Sequence, residues 1–134
     1  RRDYPSAALL RKLTEAGYLL EAAQGAIDQL TAERAIDDVR YAERYVAFHA
    51  ARGHGPVRIR HDLSALGMAA ALYEPALQGE NWPERASDTR RRKFGAELPA
   101  EWSEKVRQSK FLQYRGFSSD HIRLALGKDF DPDI

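Results

Sequence analysis

The sequence predicts an all-α protein of tandem three-helix units, each a helix, a glycine turn, a helix and a longer helix. About eight helices should form an elongated, curved stack. Three observations predict it. First, one spacing occurs three times: a leucine four residues before a glycine, an apolar residue directly after it, and another ten residues beyond it. The copies are Leu13, Gly17, Tyr18 and Ile27; Leu63, Gly67, Met68 and Leu77; and Leu112, Gly116, Phe117 and Leu126. The glycines lie 50 and 49 residues apart, a near-constant period of the kind that stacked supersecondary units produce. Second, apolar residues recur at three and four, the period of an amphipathic helix, and no alternating β-branched run is long enough for a strand. Third, Gly, Pro and Asp stand where those helices should start and stop.

Composition sets the bounds. The chain has 134 residues, 43% of them apolar and 31% charged, and no cysteine. It can bury a core as a single domain, 1–134. It has no disulfide framework and no thiolate metal ligand, which fits a reducing cytoplasm. No run of about 18 apolar residues suggests a membrane span, and Arg1 to Ser6 lacks a hydrophobic signal segment. The formal net charge of +1 hides an uneven distribution: Arg85 to Arg115 holds nine Lys or Arg against four Asp or Glu.

The first helix carries the stripe Leu9, Leu10, Leu13 and Ala16 and stops at Gly17, a glycine suited to a left-handed C′ position. The second carries Leu19, Ala22, Ala23, Ala26, Ile27 and Leu30. The third is capped by Asp37 or Asp38, presents Tyr41, Tyr45 and Phe48 on one face with Ala42 and Val46 nearby, and stops at Gly53 and Gly55. Pro56 opens the fourth at a position where its missing N–H has no partner to lose; Ile59, Leu63 and Leu66 follow, up to Gly67. The fifth spans Ala69 to Leu77 and contains Pro75, which implies a late start or a kink. Asn81, Trp82, Pro83 and Glu84 resemble a capping box for the sixth, which runs to about Lys93 and ends near Gly95. Pro99 precedes the seventh, with the stripe Trp102, Val106, Phe111 or Lys110, and Tyr114, ending at Gly116. Ser118 caps the eighth, which carries Ile122, Leu124 and Leu126, and an acidic tail from Gly127 is expected to fray. Framed on the glycines, the units are about 6–53, about 55–97, and an incomplete third at about 99–127. Arg1 to Pro5 opens without a cap.

No catalytic constellation emerges, and an enzyme is not expected. His49, His54, His61 and His121 show no H-E-x-x-H spacing; His54 is expected in an exposed loop and His49 and His61 on helix surfaces. A helix N-cap explains Asp37 and Asp38 better than a catalytic carboxylate pair does. There is no phosphate-cradling G-x-x-x-x-G-K-[ST] loop. No metal or cofactor is expected.

Helix, glycine turn, helix is also the outline of a helix-turn-helix. The helices after the glycines are too poor in cations for that role: Leu19 to Leu30 has no Arg or Lys, and Ala69 to Gln78 offers only Glu74 and Gln78 as charged or amide groups. Positive charge lies elsewhere. Arg52, Arg58 and Arg60 surround Gly53-His54-Gly55-Pro56. Arg90, Arg91, Arg92 and Lys93 form a block on the sixth helix, which spans about a full turn and so cannot face one ligand. Lys105, Arg107 and Lys110, with Arg115, follow on the seventh. A stripe of basic clusters along a stack suits an extended polyanion or an acidic protein groove better than a pocket ligand. These ten cations, Arg115 apart, are the candidate contact residues.

Three stretches carry a family resemblance: Ile36-Asp37-Asp38-Val39-Arg40-Tyr41-Ala42; Gly53-His54-Gly55-Pro56-Val57-Arg58-Ile59-Arg60 through Asp62-Leu63 to Gly67; and Arg92-Lys93-Phe94-Gly95 with Ser103-Glu104-Lys105-Val106 and Phe111-Leu112-Gln113-Tyr114-Arg115-Gly116-Phe117. With these, the chain resembles the RecX family, bacterial regulators of the RecA recombinase. The G-x-G-P-x-R-I-R run is the most specific element. The resemblance implies tandem three-helix repeats. It also implies a protein without catalytic residues that binds the RecA–single-stranded DNA filament and suppresses its activities, with weak contact to DNA. A monomer acting in the cytoplasm, with weak contact to single- and double-stranded DNA, is expected. Pro75 and a short leader before the first repeat depart from the family pattern. The alternative reading is a sequence-independent single-stranded DNA binder that blocks RecA by competition, with Tyr41, Tyr45, Trp82 and Trp102 as stacking candidates; core packing explains those four aromatics better. A third reading is a scaffold that uses the concave face of the stack.

Overall fold

The computed structural model describes residues 4–127 and 130–131, and among these there are eight helices and no strand. They are α1 (Ser6–Glu15), α2 (Leu20–Ala32), α3 (Asp38–Ala51), α4 (Pro56–Ala65), α5 (Ala70–Gln78), α6 (Trp82–Phe94), α7 (Trp102–Tyr114) and α8 (Ser119–Leu126).

The thrice-written spacing is a helix C-cap. In α1, α4 and α7 the glycine takes a positive φ, at +104° for Gly17, +83° for Gly67 and +97° for Gly116. The following N–H reaches back to the leucine carbonyl: Tyr18 to Leu13, Met68 to Leu63, and Phe117 to Leu112. Each glycine N–H meets the carbonyl three residues back. This is the Schellman arrangement, whose apolar contact joins the residue after the glycine to the one four before it. The same bonds close α3, with Gly53 at +84° and histidines, His49 and His54, at the two apolar positions. α2 closes the same way on a non-glycine, Arg34, at φ +61°.

Side chains cap three of the helix starts. The Asp37 carboxylate accepts from the Arg40 N–H and caps α3. Asp38 instead accepts from the Ser6 N–H and hydroxyl at 2.8 and 2.6 Å, tying α1 to α3. Asn81 accepts from the Glu84 N–H and opens α6, and Ser118 accepts from the His121 N–H and opens α8. α5 runs from Ala70 through Pro75 to Gln78, so the proline neither delays nor ends it.

α3 packs on α4 and α5, α6 packs on α7 and α8, and α1 packs on α2. The second and third groups start one helix earlier than the glycine frame of 6–53, 55–97 and 99–127, because α3 and α6 lie over the pairs that follow them. Ile59, Leu63, Leu77, Leu112, Ile122, Leu126 and Val46 are fully buried, and Trp82 ties the two groups by donating from its indole to the Leu77 carbonyl at 2.8 Å.

Several expected stripes are corrected. The core face of α3 is Ala42, Val46 and Ala50; Phe48 is exposed and Tyr41 and Tyr45 are half-buried. α7 buries Gln108, Ser109 and Leu112, while Tyr114 is 86% exposed. α8 turns Ile122, Ala125 and Leu126 inward and leaves Leu124 outside. Leu19 is exposed, and α2 buries only Ala23 and Ile27. In the tail, Phe130 is buried against Trp102 at 5.2 Å between ring centroids, so that residue is packed rather than frayed; the rest of the acidic tail lies mostly outside the described residues.

Candidate partner-binding surface

The basic clusters meet where the α3–α4 turn touches the α7–α8 turn. The Gly55 N–H donates to the Arg115 carbonyl at 2.8 Å, and the Val57 N–H donates to the Gly116 carbonyl at 2.9 Å. The approach is backbone to backbone. A Cβ on Gly55 would collide with the main chain of Gly116 and Phe117, and one on Gly116 would collide with Arg58. The glycines of the Gly53-His54-Gly55-Pro56 run therefore have a structural reason: they let two units touch.

Beside this seam lies a pocket of about 210 Å³ lined by Arg52, Gly53, Thr89, Arg92, Lys93, Phe111 and Arg115. Four cations surround it and no carboxylate lines it. Lys93 and Arg115 approach the Phe111 ring, at 5.8 and 5.3 Å from its centroid. Arg52 lies over Phe48 at 5.0 Å, and Arg92 reaches the Ala51 carbonyl at 3.5 Å. Among the described residues no carboxylate comes within ion-pair distance of Arg52, Arg58, Arg92, Lys93 or Arg115.

The remaining candidates divide. Arg60 is held by Glu74, with Nε 2.6 Å from a carboxylate oxygen, which raises the Arg60 pKa and lowers that of Glu74. Arg91 pairs with Asp88, and Arg107 with Glu104. Lys110 is exposed and Lys105 half-buried, and neither shares the pocket. Arg90 is not a surface residue. It is 2% exposed, and its guanidinium donates to the carbonyls of Gly95, Ala96 and Glu97 and to the Gln108 side chain. It satisfies the loop after α6 from within, and it explains why α7 turns the polar Gln108 inward. The RRRK run thus supplies two pocket residues, one paired surface residue and one internal brace.

Sequence reading missed Arg115, Phe111 and Thr89 as pocket residues. A signal was present: Arg52-Gly53 and Arg115-Gly116 repeat one cation–glycine pair at two helix ends, which places both cations at the seam.

The histidines are also corrected. His49 and His54 are half-buried, with their Nδ1 atoms 2.8 Å apart and rings stacked at 5.0 Å. One Nδ1 donates and the other accepts, so the two Nδ1 atoms share a single proton. Burial lowers both pKa values. That of His54 falls to about 4, with Arg58, His49, Arg115 and Arg52 adding positive field; His49 shifts the same way against the pull of Asp62. Tyr45 donates to Asp62 at 3.0 Å, and burial followed by that bond raises its pKa. Of the proposed stacking aromatics, Trp82 is buried and Trp102 is half-exposed against Phe130.

Comparison with known proteins follows the same grouping of helices. The model described as RecX, second three-helix domain, matches residues 37–77, and that described as RecX, third three-helix domain, matches residues 82–126. The chain is similar to the regulatory protein RecX of Pseudomonas fluorescens, with 42% identity over 134 residues, 98% of this chain and 86% of the relative. It is also similar to the regulatory protein RecX of Ectopseudomonas mendocina (strain ymp), with 39% identity over 132 residues, 96% of this chain and 88% of the relative. A crystal structure of regulatory protein RecX shares the fold with a TM-score of 0.76 and 23% identity; 96% of this chain spans 65% of that chain's length.

Proposed function

Because the chain belongs to the RecX family of regulatory proteins, we propose that it binds the RecA–single-stranded DNA filament and inhibits RecA's ATPase, recombinase and coprotease activities, and so modulates recombination and the SOS response. One observation carries this reading: the seam between the two matched units bears five cations, Arg52, Arg58, Arg92, Lys93 and Arg115, with no carboxylate partner among the described residues. Uncompensated charge on a folded surface suits a polyanion or an acidic groove, where charge-assisted bonds form and association is electrostatically steered. No helix of the described residues is long and apolar enough to cross a membrane.

The test is RecA's DNA-dependent ATPase with this protein titrated in at substoichiometric levels. Inhibition is expected, weakening as salt rises. No inhibition at any ratio sinks the reading. Arg58→Glu with Lys93→Glu is expected to weaken inhibition; Arg60→Glu is expected to cost less, because Glu74 already holds that charge.

A second reading has its own observation. Tyr114, 86% exposed, precedes Arg115, and exposed Phe48 lies beside Arg52. Aromatics next to cations are the means by which proteins hold single strands without reading sequence. Adding the protein after filament assembly separates the two: inhibition of the preformed filament favours filament binding, and loss of effect favours competition for free strand.

A further inference from the structure

The pocket at the seam draws its walls from two units. Arg52 and Gly53 come from the end of α3, Thr89, Arg92 and Lys93 from α6, and Phe111 and Arg115 from α7. No helix of α3–α5 packs lengthwise on a helix of α6–α8. The units meet through the Trp82–Leu77 bond and a contiguous core, and through the turn-to-turn bonds of Gly55 and Val57. The pocket's cations come from both units, so they repel across the joint. Gly53 brings the two walls close; a Cβ there would press on the Thr89 side chain at 3.2 Å. Such a joint lacks a negative charge at its centre, and an anion placed there converts repulsion into attraction to both walls at once.

We propose that this pocket accepts a phosphate group, and that its occupation clamps the α3–α5 unit to the α6–α8 unit. The size, about 210 Å³, suits one phosphate with part of its ester, and the guanidinium groups of Arg52, Arg92 and Arg115 offer the planar donor forks that phosphate oxygens accept. Phe111 supplies an apolar floor under Lys93 and Arg115. The phosphate comes from free phosphate or from a nucleic-acid backbone; the chemistry is shared and the experiment separates the sources. The inference deepens the function proposed above, since a filament carries its own phosphodiester strand, yet it stands or falls on a separate measurement.

The chain has no cysteine, so Ala47→Cys on α3 and Gln113→Cys on α7, both at exposed positions, give one clean spin-label pair across the joint. The distance distribution is recorded without ligand, with inorganic phosphate at constant ionic strength, and with a short oligothymidine. A narrowed distribution and a raised Tm are expected with phosphate, and a tighter response with the oligonucleotide if the backbone is the source. An equal response to both assigns the pocket to free phosphate. In Arg52→Gln/Arg92→Gln the ligand-free Tm at low salt is expected to rise, because repulsion is relieved. Narrowing should be lost in that variant, and the salt slope of oligonucleotide affinity should fall by about two. An unchanged distance distribution with either ligand, or narrowing that survives in the double variant, overturns the clamp. If the clamp fails while RecA is still inhibited, the function stands without it; if RecA is not inhibited while the clamp responds, the pocket stands alone.

Discussion

Arg90 illustrates how a residue's role depends on which way its helix faces. A run of four cations reads the same from any direction, and only the loop at Gly95 to Glu97 selects the one that turns in. Its guanidinium satisfies four oxygens, so removing it leaves three loop carbonyls and the Gln108 side-chain oxygen without that donor, while the Gln108 amide still donates to Glu104. Arg90→Ala is expected to lower stability by about 3 kcal/mol in urea unfolding, against less than about 0.5 kcal/mol for Arg92→Ala. Arg34 is the opposite case, an ordinary residue at φ +61°, where a Cβ is penalised by roughly 1 kcal/mol. Arg34→Gly is therefore expected to be neutral or stabilising despite glycine's entropy cost in the unfolded chain. The histidine pair sets an acid limit. The folded pKa values of His49 and His54 lie below the unfolded value of 6.5. Between the two values the unfolded chain binds more protons, so stability is present above pH 6.5 and is lost as pH falls toward about 4. A Tm that falls from pH 6.5 to 5, before the carboxylates titrate, is expected; His54→Gln should flatten that slope, and an unchanged slope would refute the assignment.

At the scale of elements, the glycine spacing was legible because the Schellman cap writes itself into sequence: Leu13 and Tyr18, Leu63 and Met68, Leu112 and Phe117 are the paired apolar positions that the cap requires. The fourth copy, on α3, was hidden because histidines fill those positions. The helix starts at Asp37, Asn81 and Ser118 were legible for the same local reason. Tyr114 and Leu124 were misread because apolar residues surround these short helices, and only the packing of α6 on α7 and α8 decides which side is inside. The basic pocket was half legible, since charge runs mark cations but not which of them a neighbouring carboxylate neutralises. The caps themselves are not equivalent. Gly17 has no atom near its missing Cβ, whereas Gly116 lies on Arg58. Gly17→Ala should cost about 1–2 kcal/mol from the left-handed conformation alone. Gly116→Ala adds overpacking at the seam, about 1–3 kcal/mol more, and should also disturb the pocket. Equal unfolding midpoints for the two variants would show that the seam does not bear on stability.

On the scale of the whole molecule, neighbour-only packing should leave more surface than a globule of equal mass exposes. The accessible area is 8674 Å² for 15.2 kDa, against roughly 7,100 Å² for a compact protein of that mass. Part of the excess lies at α1 and α2, where α1 buries no side chain, α2 buries only Ala23 and Ile27, and Tyr18, Leu19 and Leu20 are exposed. Size in solution should follow. A compact chain of this length has a radius of gyration of about 14 Å, and small-angle scattering is expected to give a distinctly larger value at moderate salt. The cations at the seam add a second dependence. Screening weakens the repulsion between Arg52, Arg92, Lys93 and Arg115, so the radius should contract slightly as salt rises, and the Arg52→Gln/Arg92→Gln variant should show little of that contraction. A radius at the compact value would overturn the extended stack. A radius indifferent to salt in both proteins would leave the stack intact and remove electrostatic strain from the account of its joint.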